Sequence, residues 1–104
     1  MVLSPGVWLS SVLMRTYLAL ELSHPEPLPA DFKGDDVRYP EALVSHFLRE
    51  FTQIGDTILD PFAGYGTTLV VSERLGPIPF GVELESDKVH YARARLARPE
   101  NMIQ

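Results

Sequence analysis

The sequence predicts an α/β fold, a partial doubly wound sheet of parallel strands with flanking helices. Three observations predict it. From residue 40 onward the apolar residues recur in an order that reads helix, strand, helix, strand, helix. The two strand-like runs are separated by a stretch that fits one crossover helix, which implies parallel strands and a right-handed connection. Glycines stand where the first strand must turn into its helix, in Asp60-Pro61-Phe62-Ala63-Gly64-Tyr65-Gly66-Thr67-Thr68.

The elements follow in order. Residues 1–22 form an apolar N-terminal segment, a helix opening near Ser4-Pro5 or a further strand. Residues 23–38 read as a proline-rich, charged linker, since prolines at 25, 27 and 29 favour an extended path. Pro40 opens a helix with Leu43, Val44, Phe47, Leu48 and Phe51 on one face, and Gly55-Asp56 breaks it. Thr57–Asp60 is a short buried strand, and Thr67–Leu75 a helix ended by Gly76-Pro77. Pro79–Glu83 is the second strand. Ser86 is placed to cap a last helix running to about Arg98, stopped by Pro99, with residues 99–104 as a tail. Residues 39–98 thus form the α/β unit. Two parallel strands are too few to stand alone, because parallel sheets are covered on both faces and are normally larger. Residues 1–22, a partner chain or the rest of a larger fold must complete the sheet.

Composition sets the limits. A chain of 104 residues makes one small domain at most. Its 45% hydrophobic content is that of a globular protein, and the absence of cysteine excludes a disulfide scaffold and a thiolate metal site. Nine basic residues against fourteen acidic ones give a net charge of −5. A chain that grips nucleic acid by itself usually carries a basic stripe. Here the basic residues gather only at Lys88, Arg93, Arg95 and Arg98, which reads first as a solvated helix face suited to the helix dipole. The apolar run from Val7 to Leu22 is interrupted by Arg15 and Glu21, too short and too charged to span a membrane. It also lacks a basic lead-in, so the expected location is cytoplasmic.

The chemistry concentrates in the glycine loop. Doubly wound sheets bind ligands at the carboxyl ends of their strands, against a helix N-terminus. Glu83 ends the next strand 19 residues after Gly64, close to the spacing of an acid that grips ribose hydroxyls. A dinucleotide site would present its amides to a pyrophosphate, and the carboxylate of Asp60 would repel that group. Asp60 suits instead a cationic ligand such as the ammonium and sulfonium of S-adenosylmethionine. No Gly-Lys-Ser/Thr is present, which argues against a P-loop.

These residues carry a family resemblance. Thr57 to Thr68, followed by Glu73-Arg74-Leu75-Gly76 and Gly81-Val82-Glu83-Leu84-Glu85, resembles the cofactor-binding segment of the DNA amino-methyltransferases. These enzymes methylate an exocyclic amino group of adenine or cytosine with S-adenosylmethionine. The helix opened by Tyr39-Pro40-Glu41-Ala42-Leu43 is similar to the family helix that closes the cofactor pocket. The resemblance spans residues 39 to about 96 and implies a partial Rossmann-like methyltransferase fold. It implies that Asp60 and the backbone around Pro61, Phe62, Gly64 and Gly66 hold the methionine moiety. It assigns Glu83 to the ribose hydroxyls and Leu84 to the adenine, with Thr67 and, opposite, Pro40 and Glu41 completing the site. Tyr65 stands where many relatives carry a small residue, often serine.

One departure is larger. The family's catalytic tetrapeptide, an Asp, Asn or Ser followed by Pro-Pro and an aromatic, occurs nowhere in the 104 residues. It serves a base flipped out of the duplex. A target-recognition region is missing too. The resemblance therefore implies a cofactor-binding part that meets DNA through a complete enzyme and weakly or not at all by itself. A partner chain carrying the catalytic loop, or a homo-oligomer, would complete it. The alternative is a non-catalytic remnant or a regulatory module that binds S-adenosylmethionine or another nucleotide. Other residues have plainer readings. His24, His46 and His90 lack metal spacing. Trp8 and Tyr17 are core candidates, Asp56 is a turn residue, and Glu85 and Asp87 are helix-start charges.

Overall fold

The computed structural model describes residues 27–29 and 38–104, and the expectations for residues 1–22 and for most of the linker lie outside them. The element order is α1 (Glu41–Phe51), β1 (Thr57–Asp60), α2 (Thr67–Leu75), β2 (Ile78–Val82), α3 (Ser86–Arg95), a 3₁₀ turn (Pro99–Asn101) and β3 (Met102–Ile103). The strands form a parallel sheet in the order β1-β2-β3.

Pro40 launches α1 by offering its carbonyl to the N–H groups of Leu43 and Val44. The helix ends where both the N–H and the hydroxyl of Thr52 turn back to the Leu48 carbonyl. Of the five residues expected on its apolar face only Leu48 is buried, and Phe47 is exposed. Among the described residues α1 packs chiefly along α2, a contact that covers a narrow stripe. Glu41 and Arg74 join the two helices at 3.1 Å. In the following turn the Asp56 carboxylate accepts the Gln53 N–H at 2.8 Å, the turn role its position suggested.

Strand parity decides where the core lies. In register, Asp60 pairs with Gly81, and Gly81 with Met102, on one face. Both α2 and α3 cover that face, where Leu69, Val89, Ala92, Leu96, Met102 and Ala63 form the buried cluster. Gly81 lets α2 approach. A Cβ there would sit 2.7 Å from Leu69 Cδ2 and 2.9 Å from Ala63 Cβ. Ser72, fully buried within α2, is satisfied by donating to the Pro77 carbonyl at 2.9 Å.

The structure corrects the C-terminal expectations. The last helix ends at Arg95, not near Arg98, because the N–H groups of Ala97 and Arg98 turn to the Glu73 carboxylate at 2.9 and 3.1 Å. Ser86 makes no capping bond and is the first helical residue after Glu85. The second strand runs Ile78–Val82, one residue earlier than expected at both ends, so Glu83 follows it. β1, expected to be buried, contains no buried residue because one face of the sheet is open. The expected tail supplies a third strand, whose Met102 carbonyl accepts from both Nε and Nη2 of Arg93 at 3.0 and 2.8 Å. Arg95 donates to the Tyr65 carbonyl at 2.9 Å, so both arginines are engaged inside the fold.

Candidate cofactor-binding site

A cleft of about 320 Å³ opens at the carboxyl ends of β1 and β2, against the start of α2. Its walls are Arg38, Tyr39, Phe62, Ala63, Gly64, Tyr65, Thr67, Thr68, Glu83 and Lys88. The volume lies at the small end of the range for ligand pockets, roughly 300–1,000 Å³. Aromatic rings and charges of both signs share the lining.

The turn from β1 into α2 is built locally. The Asp60 carboxylate accepts the N–H of Phe62 at 3.0 Å, folding the chain back on itself directly after the strand. Ala63 N–H reaches the Val82 carbonyl at 2.9 Å, which ties the loop to β2. Gly66, at φ +84°, is the N-cap of α2 and lies against α3, where a Cβ would meet Ala92 Cβ at 2.9 Å. Gly64, at φ +54°, has no atom within 4 Å of the position its Cβ would take. The loop therefore has one glycine demanded by packing and one that leaves space at the cleft.

Glu83 joins the two halves of the site. Its Oε1 accepts the N–H of Gly64 at 3.1 Å, and its Oε2 accepts the N–H of Glu85 at 2.7 Å. The carboxylate is thereby held at the mouth of the cleft by backbone groups from the loop and from the start of α3. An ionised carboxylate offers about four acceptor positions, so acceptor capacity remains for a ligand's hydroxyls.

Tyr65 packs on α3, buried, with its ring edge-to-face on Tyr91 at 5.5 Å between centroids. Lys88 Nζ stands 5.3 Å from the Tyr65 ring centroid. The bulky residue at this position thus fastens the loop to α3 while still lining the cleft. Lys88 also pairs with Glu85 at 3.0 Å.

Of the residues expected at the site, Phe62, Gly64, Thr67 and Glu83 line the cleft. Asp60, Pro61 and Gly66 stand outside its walls and shape the turn behind it. Leu84 is 88% exposed beside Glu83, and its carbonyl accepts from Gln104. Pro40 starts α1, and the Glu41 carboxylate is directed to Arg74. Arg38, Thr68 and Lys88 line the cleft although the sequence does not single them out as site residues. Thr68 follows an expected residue on the same helix turn, whereas Lys88 reaches the cleft only through the placement of α3. Among the described residues no group of acidic or histidine side chains is arranged to hold a metal ion, and no helix is long and apolar enough to cross a membrane.

Such a sheet, with a glycine turn and an anchored acid at its strand ends, has the layout at which doubly wound α/β proteins bind their ligands. The DNA methylase family model matches residues 17–94 of the 104, and the chain belongs to that family. It is 46% identical over 57 residues to the type II methyltransferase M2.DpnII of Streptococcus pneumoniae. It is 40% identical over 57 residues to the type II methyltransferase M2.LlaDCHI of Lactococcus lactis subsp. cremoris. Each match covers 55% of this chain and 21% of the relative, so the chain matches about a fifth of those proteins. Among solved structures it is similar to TTHA0409 of Thermus thermophilus, a candidate DNA modification methylase. That protein in complex with S-adenosyl-L-methionine superposes with a TM-score of 0.54 at 35% identity, covering 69% of this chain and 34% of the other. A further structure of it gives 0.56 at 32% identity, covering 75% and 39%.

Proposed function

We propose that this chain is the S-adenosylmethionine-binding part of a DNA amino-methyltransferase, acting with a catalytic region that its 104 residues do not contain. The observation that carries the reading is the Glu83 carboxylate, fixed at the cleft by the amides of Gly64 and Glu85. Two rigid backbone donors orient it before any ligand arrives, so little ordering cost attends binding. The family supports the same assignment, and the Thermus relative was solved with this cofactor. The cleft's chemistry fits. Glu83 suits the ribose hydroxyls, Phe62 and Tyr39 offer aromatic rings to a sulfonium cation, and the open space at Gly64 lets a ligand approach the backbone. Arg38 and Lys88 supply positive charge along the same wall, suited to the carboxylate of a zwitterionic amino-acid moiety.

When bound, S-adenosylmethionine supplies an electrophilic methyl group to an exocyclic amine of adenine or cytosine. This chain's own residues bind and orient. The tetrapeptide that would receive the flipped base is absent from the chain, so DNA contact belongs to the assembled enzyme. Asp60 acts through the loop, because its carboxylate is engaged by the Phe62 amide.

Isothermal titration with S-adenosylmethionine and S-adenosylhomocysteine tests the reading. The full chain binds both, Glu83→Ala weakens binding at least about tenfold, the loss of one charge-assisted contact, and Asp60→Ala weakens it less. Absence of binding by the folded chain, or unchanged affinity in Glu83→Ala, overturns it.

A further inference from the structure

Glu83 is oriented by two amides that come from different parts of the chain. Gly64, in the loop after β1, donates at 3.1 Å, and Glu85, at the start of α3, donates at 2.7 Å. One side chain reaches the neighbourhood of both donors. Lys88 Nζ lies 3.0 Å from Glu85 Oε2 and 5.3 Å from the centroid of the Tyr65 ring, and Tyr65 follows Gly64 directly. An exposed lysine–glutamate pair contributes little, because water screens it and two long side chains must be held in one geometry. Lys88 differs, since only 14% of its side chain is exposed, against 59% for Glu85. Its stem is packed in the fold, and a partly desolvated ammonium gains more from an aromatic face than an exposed one does. The Tyr65 end is equally firm. The ring is buried and edge-to-face on Tyr91, and the Tyr65 carbonyl accepts from Arg95 at 2.9 Å.

We propose that Lys88 is a positioning residue for Glu83. Its ammonium ties the glycine loop, through Tyr65, to the start of α3, through Glu85, and so sets the spacing of the two amides that orient the ribose-binding carboxylate. The inference rests on the S-adenosylmethionine reading above and deepens it. Tyr65 belongs to the same arrangement, because a serine there would offer the ammonium no ring. Lys88 also lines the cleft, where its charge suits a ligand's carboxylate. The two roles separate on a ligand that carries ribose hydroxyls but no carboxylate. Positioning of Glu83 matters to that ligand, whereas a direct contact with the amino-acid moiety does not.

The test titrates the full chain with S-adenosylmethionine, adenosine and dideoxyadenosine, which lacks the two ring hydroxyls of the ribose, and follows binding by amide NMR shifts. The wild type is expected to prefer adenosine to the dideoxy analogue, the preference that Glu83 supplies. Lys88→Met keeps the apolar stem and removes the ammonium. It is expected to cut that preference about three- to tenfold, the scale of coupling within one hydrogen-bonded network, and to leave affinity for dideoxyadenosine unchanged. Glu85→Gln keeps the Glu85 amide and is expected to act in the same direction. Its side chain is exposed, so it carries the test should Lys88→Met fail to fold. The double variant is expected to be no weaker than Lys88→Met alone, because both changes break one link. A wild-type preference retained in either single variant, or losses that add in the double variant, overturns the inference. An equal loss for both nucleosides overturns it in favour of a general structural role, and a loss confined to S-adenosylmethionine does so in favour of a carboxylate contact. A wild-type chain that binds none of the three, or binds both nucleosides alike, overturns the Glu83 reading itself and the inference with it.

Discussion

The two faces of the sheet meet opposite fates, and the more apolar one is the open one. On one, Gly81 and Met102 lie under α2 and α3, and Leu69 and Met102 are fully buried. On the other, Leu59 and Ile103 are at least half exposed. Hydrophobicity alone does not distinguish Leu59 from Leu69. What differs is the connection. Each crossover in the described residues leaves β1 or β2 and returns through a helix on the same side, so three strands gain one helical layer. A second layer needs chain beyond these crossovers. The lesson is that burial follows the path of the crossovers and not the hydrophobicity of the strand residue.

The largest effect expected from this contrast is in stability. Leu69→Ala removes a fully buried side chain from the cluster and should cost about 2–5 kcal/mol. Leu59→Ala, on the open face of the isolated chain, should change stability by at most about 0.5 kcal/mol. Urea unfolding of both variants measures the difference. Equal costs would show that the open face is covered by this chain itself.

Tyr65→Ser comes next, and it bridges site and core. The ring is buried against Tyr91 and beneath Lys88, so truncation to serine, the residue the family resemblance suggests here, opens a cavity. We expect a loss of about 3 kcal/mol, within the range for buried aromatic truncations. A simultaneous fall in S-adenosylmethionine affinity would show that α3 holds the loop through this residue. Stability lost with affinity retained would make Tyr65 a core residue only.

Much of the layout is legible in the sequence, and for a physical reason. Thr67–Leu75 is bounded by Gly66 and Gly76, both at positive φ, and such backbone positions announce themselves in sequence. The 19-residue step from Gly64 to Glu83 marks the acid, but not the 3.1 Å hydrogen bond by which the Gly64 amide holds its carboxylate. β3 is not legible. It is two residues long, and it is placed by backbone pairing with β2 and by Arg93 donating to the Met102 carbonyl, tertiary contacts without periodicity. Lys88 escapes likewise, because a helix-start lysine looks solvated until α3 is placed beside the loop. The stripe on α1 misleads in the other direction, since a helix packed on one helix need not bury five residues.

The two loop glycines separate packing from ligand approach at smaller effect. Gly66→Ala places a Cβ 2.9 Å from Ala92 in a left-handed conformation and should cost about 1–3 kcal/mol. Gly64→Ala meets open space, so its cost is the conformational part, about 1 kcal/mol. Its effect on S-adenosylmethionine binding should nevertheless be the greater of the two, because the added methyl occupies the approach to the cleft. Titration and unfolding of the pair decide this. If Gly64→Ala binds as the wild type does, the open space is not where the ligand lies.

The smallest effect is expected at the Glu41–Arg74 pair. It joins α1 to α2 at 3.1 Å, but the arginine side chain is 57% exposed. Water and salt screen such a pair, and holding two long side chains in one geometry costs entropy. Arg74→Ala should therefore lower stability by less than about 1 kcal/mol, and the difference should shrink further in about 1 M salt. The outcome bears on Glu41, whose carboxylate the family resemblance assigns to the cofactor wall. If the carboxylate is bound only to Arg74, removing the arginine frees it, and cofactor affinity can change while stability hardly does. A stability loss as large as that of Leu69→Ala would mean instead that α1 is held by this pair rather than by Leu48. The contrast between a buried layer and an open face would then need a third, electrostatic support.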